Sequence, residues 1–191
     1  MMIKALIFDC FGVLTVDLWK EFVLSLPQET QEPARELNRA LDRGQLTLHE
    51  FSAEINSLTG REPARVEETI AVGQNSDKNQ ALLRYIRGVH GTYKIGLLSN
   101  ISTNWIRDSF LSPDETALFD AFILSYEVGM TKPDPNVYIL AAERLSVRPE
   151  ECIFIDDGEG NCQGARNVGM QSVLYENLQQ TIADLNKILK T

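Results

Sequence analysis

The sequence is poor in cysteine, histidine and basic residues, and each shortage excludes a class of protein. Its 191 residues include three cysteines and two histidines. An odd number of cysteines without metal-type spacing argues against a disulfide framework or a zinc site. The 27 acidic residues outnumber the 18 lysines and arginines, which gives a net charge of -9. We therefore expect no nucleic-acid partner, because such partners are bound by basic surfaces.

Long apolar runs are also missing. No segment approaches the length of a membrane span, and the N-terminus enters an apolar stretch directly, without the layout of a signal peptide. These features predict a cytoplasmic protein with reduced cysteines and no membrane partner. The length suits one medium domain, or one domain that carries a smaller insertion.

The first apolar stretch, residues 5–8, ends abruptly at Asp9, and Gly12 follows shortly after. A continuous apolar run of this kind is typical of a strand buried on both faces of a parallel sheet. Asp9 then stands at the carboxyl end of that strand, where open α/β sheets bind ligands. An aspartate in this position can equally form a turn or cap a helix, so Asp9 needs support from other strand ends.

The rest of the chain divides into a helical segment and an alternating one. Within residues 16–79 the pattern predicts four helices, near 17–26, 32–43, 47–58 and 63–72. After a helix at 77–89, we expect strands at 93–99, 121–125, 152–157 and 171–175, separated by helices at 103–111, 135–145 and 161–168, with a last helix at 178–189. Alternating strands and helices imply right-handed crossovers and a doubly wound parallel sheet. We therefore predict an α/β core of residues 1–15 and 80–191, with a helical cap of residues 16–79 inserted after the first strand.

Polar side chains follow four of the predicted strands. They are Asp9, Ser99, Lys132 a few residues beyond its strand, and the pair Asp156 and Asp157. The carboxyl ends of parallel strands lie at one edge of a sheet, so these side chains are expected to meet. Two unit charges 4 Å apart repel by about 4 kcal/mol at an effective dielectric of 20. A cluster of three carboxylates therefore needs protonation, Lys132 or a bound cation.

Carboxylates together with a backbone carbonyl and waters suit Mg²⁺, which prefers oxygen ligands and leaves room for a phosphate oxygen. Ser99 can donate a hydrogen bond to such an oxygen, and Lys132 can neutralise both the phosphate and an attacking carboxylate. Asp9 is then free to act as a nucleophile that forms an aspartyl-phosphate, which water hydrolyses. Asn100 either orients the phosphate or merely turns the chain.

Four segments, residues 9–14, 98–100, 131–133 and 155–157, resemble in order the four motifs of the haloacid dehalogenase (HAD) superfamily of hydrolases. The resemblance implies a Rossmann-like core, and a helical cap that closes over the site and selects the substrate. It is closest to small-molecule phosphatases with a small helical cap, including some that act on sugar phosphates. The implied site has Asp9, Ser99 and Lys132 as catalytic residues, Ser99, Asn100 and Lys132 as substrate ligands, and Asp9, the Phe11 carbonyl, Asp156 and Asp157 as ligands of Mg²⁺.

One residue departs from the pattern of these phosphatases. The position two after their nucleophile is usually a second aspartate, which protonates the leaving oxygen and later deprotonates water, but here it is Phe11. A general acid–base group typically supplies about 10²–10⁴-fold in rate. The leaving group can be one that hardly needs a proton, such as an anomeric sugar phosphate or an acyl phosphate. A residue of the cap can instead supply the proton, with His49 and Glu50 as the nearest candidates by type, or the protein is not a phosphatase.

Dehalogenases of the superfamily carry an aromatic residue at that same position and use the aspartate without metal. Phe11 therefore supports a metal-independent 2-haloacid dehalogenase as an alternative, and a catalytically degenerate binding homologue is another. The acidic pair Asp156 and Asp157 favours the phosphatase, because a metal-free dehalogenase gains nothing from it. The sequence thus predicts an Mg²⁺-dependent phosphatase that acts on a small phosphorylated metabolite.

Overall fold

Five parallel strands form a single sheet in the computed structural model of the chain, which describes the backbone of residues 2–74 and 77–189 and the side chains of residues 2–70 and 77–189. The strands are β1 (Ala5–Phe8), β2 (Lys94–Ser99), β3 (Ala121–Leu124), β4 (Cys152–Asp156) and β5 (Gln171–Leu174). Their order in the sheet is β3-β2-β1-β4-β5, and every pairing is parallel. The predicted α/β fold with a doubly wound parallel sheet is confirmed.

The central strand β1 explains why the first apolar stretch has no alternation. Its four residues are fully buried, since Leu6 and Phe8 belong to the apolar core on one face of the sheet and Ala5 and Ile7 to the core on the other. The chain runs from β1 outward to β2 and β3, and then returns to the other side of β1 for β4 and β5. The strand order therefore reverses beside β1, which is where open α/β sheets bind ligands.

Helices cover both faces of this sheet. Helices α5 (Gln80–Val89) and α10 (Leu178–Leu189) contribute buried residues to one core, and α8 (Pro135–Arg144) and α9 (Glu159–Asn167) contribute to the other. Two short helices, α6 (Pro113–Thr116) and α7 (Ser125–Val128), flank β3. Among the described residues, no helix is long and apolar enough to cross a membrane.

Four further helices lie between β1 and α5, and we call them the insertion helices. They are α1 (Leu18–Leu24), α2 (Gln28–Asp42), α3 (Leu48–Thr59) and α4 (Pro63–Gln74). They have an apolar core of their own, in which Phe51, Ile55 and Val66 are fully buried. The division of the chain into a core of residues 1–15 and 80–191 and a cap of residues 16–79 remains a prediction.

Some helix boundaries differ from those expected. Helix α2 begins at Gln28 rather than near residue 32, and it contains Pro33. The fixed φ of proline fits a helix, and its missing N–H removes only one backbone hydrogen bond near the start of the helix. Helix α5 begins at Gln80 rather than at residue 77, because the Asn79 side chain accepts a hydrogen bond from Leu82 N and caps the helix there. The helix expected at 103–111 is a single π-helical turn, Ile106–Phe110.

Candidate active site

The pairing of β1 with β4 places Asp9 beside Asp156. Phe8 is in register with Ile155, and Asp9 N donates a 2.9 Å hydrogen bond to Ile155 O, so both strands end at the same level. Asp9 is 6% exposed, and its Oδ1 accepts a hydrogen bond from Cys10 N at 2.6 Å. Asp9 nevertheless lines a cavity, so its carboxylate is almost enclosed and still reachable by a small ligand.

Lys132 joins the two carboxylates. Its Nζ lies 2.6 Å from Asp9 Oδ1 and 2.7 Å from Asp156 Oδ2, and the whole residue is buried. Asn100 holds the Lys132 backbone, donating from Nδ2 to Lys132 O at 3.1 Å and accepting from Lys132 N at 2.8 Å. Asn100 also lines the cavity, and its expected contact with a phosphate remains a prediction.

One ammonium shared by two buried carboxylates sets the charge state of the site. Burial disfavours the ammonium, but the charges of Asp156 and Asp9 outweigh burial and raise the pKa of Lys132. Burial also raises the pKa of Asp9, and the negative charge of Asp156 raises it further. For Asp156 burial acts in the same direction, but the Lys132 charge and the hydrogen bonds that Asp156 accepts leave its pKa below the usual range. Asp156 therefore carries the charge that holds Lys132 in place.

The hydrogen bonds of Asp156 agree with this role. Its Oδ1 accepts from Gly158 N at 2.8 Å and from Asn161 Nδ2 at 3.0 Å, while Oδ2 accepts from Lys132 Nζ. Both oxygens are thus already engaged, and Asp156 itself is fully buried. A metal ion that bound Asp156 directly would have to replace one of these donors.

Asp157 is held differently, between the core and the insertion helices. Lys20 of α1 places its Nζ 2.5 Å from Asp157 Oδ2. On its other side the carboxyl group packs against Gly12, where φ is +80° and a Cβ atom would lie 2.4 Å from Asp157 Cγ. Only glycine therefore fits this turn after β1, both for its backbone conformation and for the space that Asp157 occupies.

The three aspartates are close enough to share a cation. Asp9, Asp156 and Asp157 each offer an oxygen atom, and these atoms all lie within 4.8 Å of one another. The donor set is made of hard oxygen atoms only, which is the chemistry that Mg²⁺ selects. The residues present therefore fit a magnesium ion, which Asp9 and Asp157, the two that also line the cavity, would hold. The role of the Phe11 carbonyl remains a prediction.

Ser99 ends β2 and carries an unpaired hydroxyl group. Its Oγ is buried and has no hydrogen-bond partner among the described residues. Native proteins leave few buried polar atoms unpaired, and each one calls for an explanation such as a missing ligand. Ser99 does not itself line the cavity, although its neighbours Asn100 and Ile101 do. Its expected contact with a phosphate oxygen remains a prediction.

The cavity of about 200 Å³ lies between the sheet edge and the insertion helices. Pockets for drug-sized ligands usually measure about 300–1,000 Å³, so this one suits a smaller molecule. Phe11 lines it and stacks on Trp105, with ring centroids 5.8 Å apart. The insertion helices and the segment before them contribute four polar residues to the wall: Asp17, Asn38, Asp42 and Thr69.

Sequence reasoning missed these four residues and Lys20, because no motif marks them. It named His49 and Glu50 instead as the candidates of the cap for supplying the proton, and the structure does not support either one. Both are exposed and neither lines the cavity, and Glu50 forms the capping box of α3 with Thr47. Residue type alone does not show how a helix such as α3 is rotated about its axis, and this rotation decides which of its side chains face the cavity.

Comparison with known proteins agrees with the four motifs. The family model for haloacid dehalogenase-like hydrolases matches residues 3–169. The chain therefore belongs to this family of hydrolases, as the resemblance predicted.

Individual relatives are similar over the whole chain. A D-ribitol-5-phosphate phosphatase from Bacteroides thetaiotaomicron is 28% identical, and the match covers 100% of both chains. Among solved structures, a HAD-like hydrolase from Porphyromonas gingivalis has a TM-score of 0.73 at 23% identity over 100% of both chains. A HAD family enzyme from Bacteroides thetaiotaomicron, solved as a magnesium complex, has a TM-score of 0.69 at 24% identity and covers 92% of this chain and 94% of its own. At such identities the structures support the fold.

Proposed function

We propose that this protein is an Mg²⁺-dependent phosphatase that hydrolyses a small phosphorylated metabolite, of the sugar or polyol phosphate class, through an aspartyl-phosphate on Asp9. The observation that carries the proposal is Lys132, whose Nζ lies within 2.7 Å of both Asp9 and Asp156 beneath the cavity. This arrangement keeps a nucleophilic carboxylate and a cation side by side in a nearly enclosed site. The phosphatase name of a relative that matches the full chain supports the same reaction.

Asp9 is the nucleophile in this proposal. Its Oδ1 is occupied by Lys132 Nζ and Cys10 N, and so Oδ2 is the atom that attacks phosphorus. Lys132 reduces the repulsion between this carboxylate and the phosphate dianion, and the orphaned Ser99 hydroxyl donates to a phosphate oxygen. Asn100 holds Lys132 at the correct depth through its two bonds to the Lys132 backbone. Mg²⁺, when bound by Asp9 and Asp157, supplies positive charge for the phosphoryl oxygens.

The insertion helices act as the cap. They close the cavity on the side opposite Asp9, and their Asn38, Asp42 and Thr69, together with Asp17, make that side polar. A polar wall favours a leaving group that carries hydroxyl groups over an apolar one, because buried polar groups need hydrogen-bond partners. The small cavity and this wall together support a short phosphorylated sugar or polyol.

The alternative is a 2-haloacid dehalogenase, and Phe11 favours it. Phe11 lines the cavity and its ring stacks on Trp105, which places an aromatic residue where it can shield an attacked carbon from water. Such a reaction has no need of Asp157, whose carboxylate lies near Asp9 in the acidic cluster. The cluster therefore supports the phosphatase more strongly.

A substrate panel separates the two functions. The purified protein is assayed on sugar phosphates, polyol phosphates, acetyl phosphate, p-nitrophenyl phosphate and 2-haloacids, with Mg²⁺ and with EDTA. We expect phosphate release that requires Mg²⁺ and no halide release. Asp9→Asn should abolish turnover, while Asp114→Asn, the same change at an exposed residue of α6, should leave it unchanged. Undiminished phosphatase activity in Asp9→Asn, or halide release in the presence of EDTA, would contradict the proposal.

A further inference from the structure

The last turn of α2 brings a second buried carboxyl group to the cavity, on the side of the insertion helices. Asp42 ends α2, is 5% exposed, and lines the same cavity as Asp9. Its Oδ2 accepts a 2.8 Å hydrogen bond from Asn38 Nδ2, one turn earlier in the helix. Among the described residues this is the sole hydrogen bond to the carboxyl group, so Oδ1 is available to a ligand in the cavity.

The surroundings of Asp42 keep its carboxyl group partly protonated near neutral pH. Burial raises the pKa of Asp42 to about 7, with a further contribution from the charge of Asp17, while Lys132, Asn38 and Arg43 act in the opposite direction. The position at the carboxyl end of a helix also disfavours a negative charge, because the helix dipole is negative there. Below this pKa the group is a neutral acid, and above it a carboxylate.

Asp17 is the other carboxyl group on this side of the cavity, but its contacts suit a different role. Its Oδ1 accepts a 2.9 Å hydrogen bond from Lys20 N and caps α1. Burial raises the pKa of Asp17, and the hydrogen bond from Lys20 N acts in the opposite direction. Asp17 therefore serves the start of α1, which carries Lys20 to Asp157.

We propose that Asp42 is the general acid of the phosphatase reaction, and that it supplies from the cap the proton donor that Phe11 cannot provide. This inference rests on the proposed function and adds a catalytic residue to it. The bond between phosphorus and the leaving oxygen breaks as the bond from phosphorus to Asp9 forms. The leaving oxygen keeps the electron pair of the broken bond and takes the proton from Asp42, which becomes a carboxylate. In the second step the oxygen of a water molecule bonds to phosphorus as the bond between phosphorus and Asp9 breaks. The electron pair of that bond returns to the Asp9 carboxylate, the proton of the water passes to the Asp42 carboxylate, and inorganic phosphate is released.

The test compares leaving groups that need a proton with one that does not. Alkyl phosphates, with D-ribitol 5-phosphate among them, leave as poor alkoxides, whereas p-nitrophenyl phosphate leaves as a stabilised phenolate. The quantity measured is kcat/KM, which reports transition-state stabilisation relative to free enzyme and substrate. We expect Asp42→Asn to lower kcat/KM for alkyl phosphates by about 10²–10⁴-fold. For p-nitrophenyl phosphate the change should stay below about tenfold.

The pH profile gives a second readout that a merely structural role would not move. In the wild-type protein, kcat/KM for an alkyl phosphate should fall as pH rises through about 7, because the acid form of Asp42 is lost. This decline should be absent in Asp42→Asn and absent with p-nitrophenyl phosphate. Far-UV circular dichroism and urea unfolding of the variant verify that it is folded.

A rescue variant and a matched control complete the design. Adding Phe11→Asp to Asp42→Asn places a carboxyl group at the family's usual position and should restore much of the alkyl phosphatase activity. Asp17→Asn, the same change at the other carboxyl group of this wall, should not discriminate between the two substrate classes. An equal loss on both classes in Asp42→Asn, with the pH decline retained, overturns the role of Asp42 and leaves the phosphatase intact. A wild-type protein that is inactive on every phosphoester overturns the proposed function as well.

Discussion

Replacing Gly12 with alanine tests how the turn after β1 supports the site. Gly12 has a φ of +80°, and a Cβ atom there would lie 2.4 Å from Asp157 Cγ. The left-handed backbone conformation costs an alanine about 1–2 kcal/mol. Ordinary contacts begin at 3.4 Å, so the Asp157 carboxyl group must also move by about 1 Å. Misplacing a catalytic group by 1 Å can cost about 10²-fold in rate.

Gly91 offers a matched control for the backbone term. It has a φ of +86°, and no atom lies within 4 Å of the Cβ position. It precedes β2, at the end of the sheet opposite the site. Gly91→Ala should therefore lose about 1–2 kcal/mol of unfolding free energy, the same backbone cost that Gly12→Ala incurs. The activity of Gly91→Ala should be that of the wild type.

The assays are urea unfolding for both variants and Mg²⁺-dependent hydrolysis of p-nitrophenyl phosphate. We expect Gly12→Ala to lose about 10²-fold in kcat, and to need a higher Mg²⁺ concentration for half-maximal rate, because Asp157 is displaced. Gly91→Ala should match the wild type in both kinetic measures. Wild-type kinetics in Gly12→Ala, or an equal kinetic loss in Gly91→Ala, would refute the reasoning.

Two other substitutions separate stability from function. Ser99→Ala removes an unpaired buried hydroxyl, so urea unfolding should show no loss of stability. KM for phosphoesters should rise about 10- to 100-fold, because a hydrogen bond to a charged group contributes about 1.5–3 kcal/mol. An unchanged KM would contradict the phosphate contact. Lys132→Met leaves Asp9 and Asp156 buried without their cation and should cost about 3–5 kcal/mol of unfolding free energy near pH 7.5. The cost should shrink toward pH 5, since buried carboxylates without a cation take up protons at higher pH than usual, and a cost that is equal at both pH values would count against this account.

Much of the core of the site follows from local patterns. A strand that is apolar on both faces is typical of a covered parallel sheet, and this pattern predicts that Asp9 and the pair Asp156 and Asp157 lie at one edge of the sheet. The capping box of Thr47 and Glu50 was also predictable, because both partners lie within one turn.

The contributions of the insertion helices did not follow from such patterns. Asp42 and Lys20 reach the site because the insertion helices lie over the sheet edge, and a contact such as that of Lys20 with Asp157 joins residues 137 positions apart in the sequence. An aspartate in the last turn of a helix gives no signal of its own, since solvated aspartates are common there. The π-helical turn at Ile106–Phe110 was missed for a related reason, because tertiary packing overrides helix propensity in short segments.

The position of β1 in the sheet has a consequence for synthesis on the ribosome. Ala5 pairs with Lys94 on one side and with Cys152 on the other. The ribosome makes β1 first, although β1 pairs with both β2 and β4. At about 5–20 residues per second, the interval between translation of β1 and of β4 is on the order of ten seconds. During that interval its apolar residues have no finished sheet to enter, while the insertion helices emerge with a core of their own. A nascent chain that stops short of β4 lacks Asp156 and Asp157, so the acidic cluster around Asp9 is complete only after most of the polypeptide has been made.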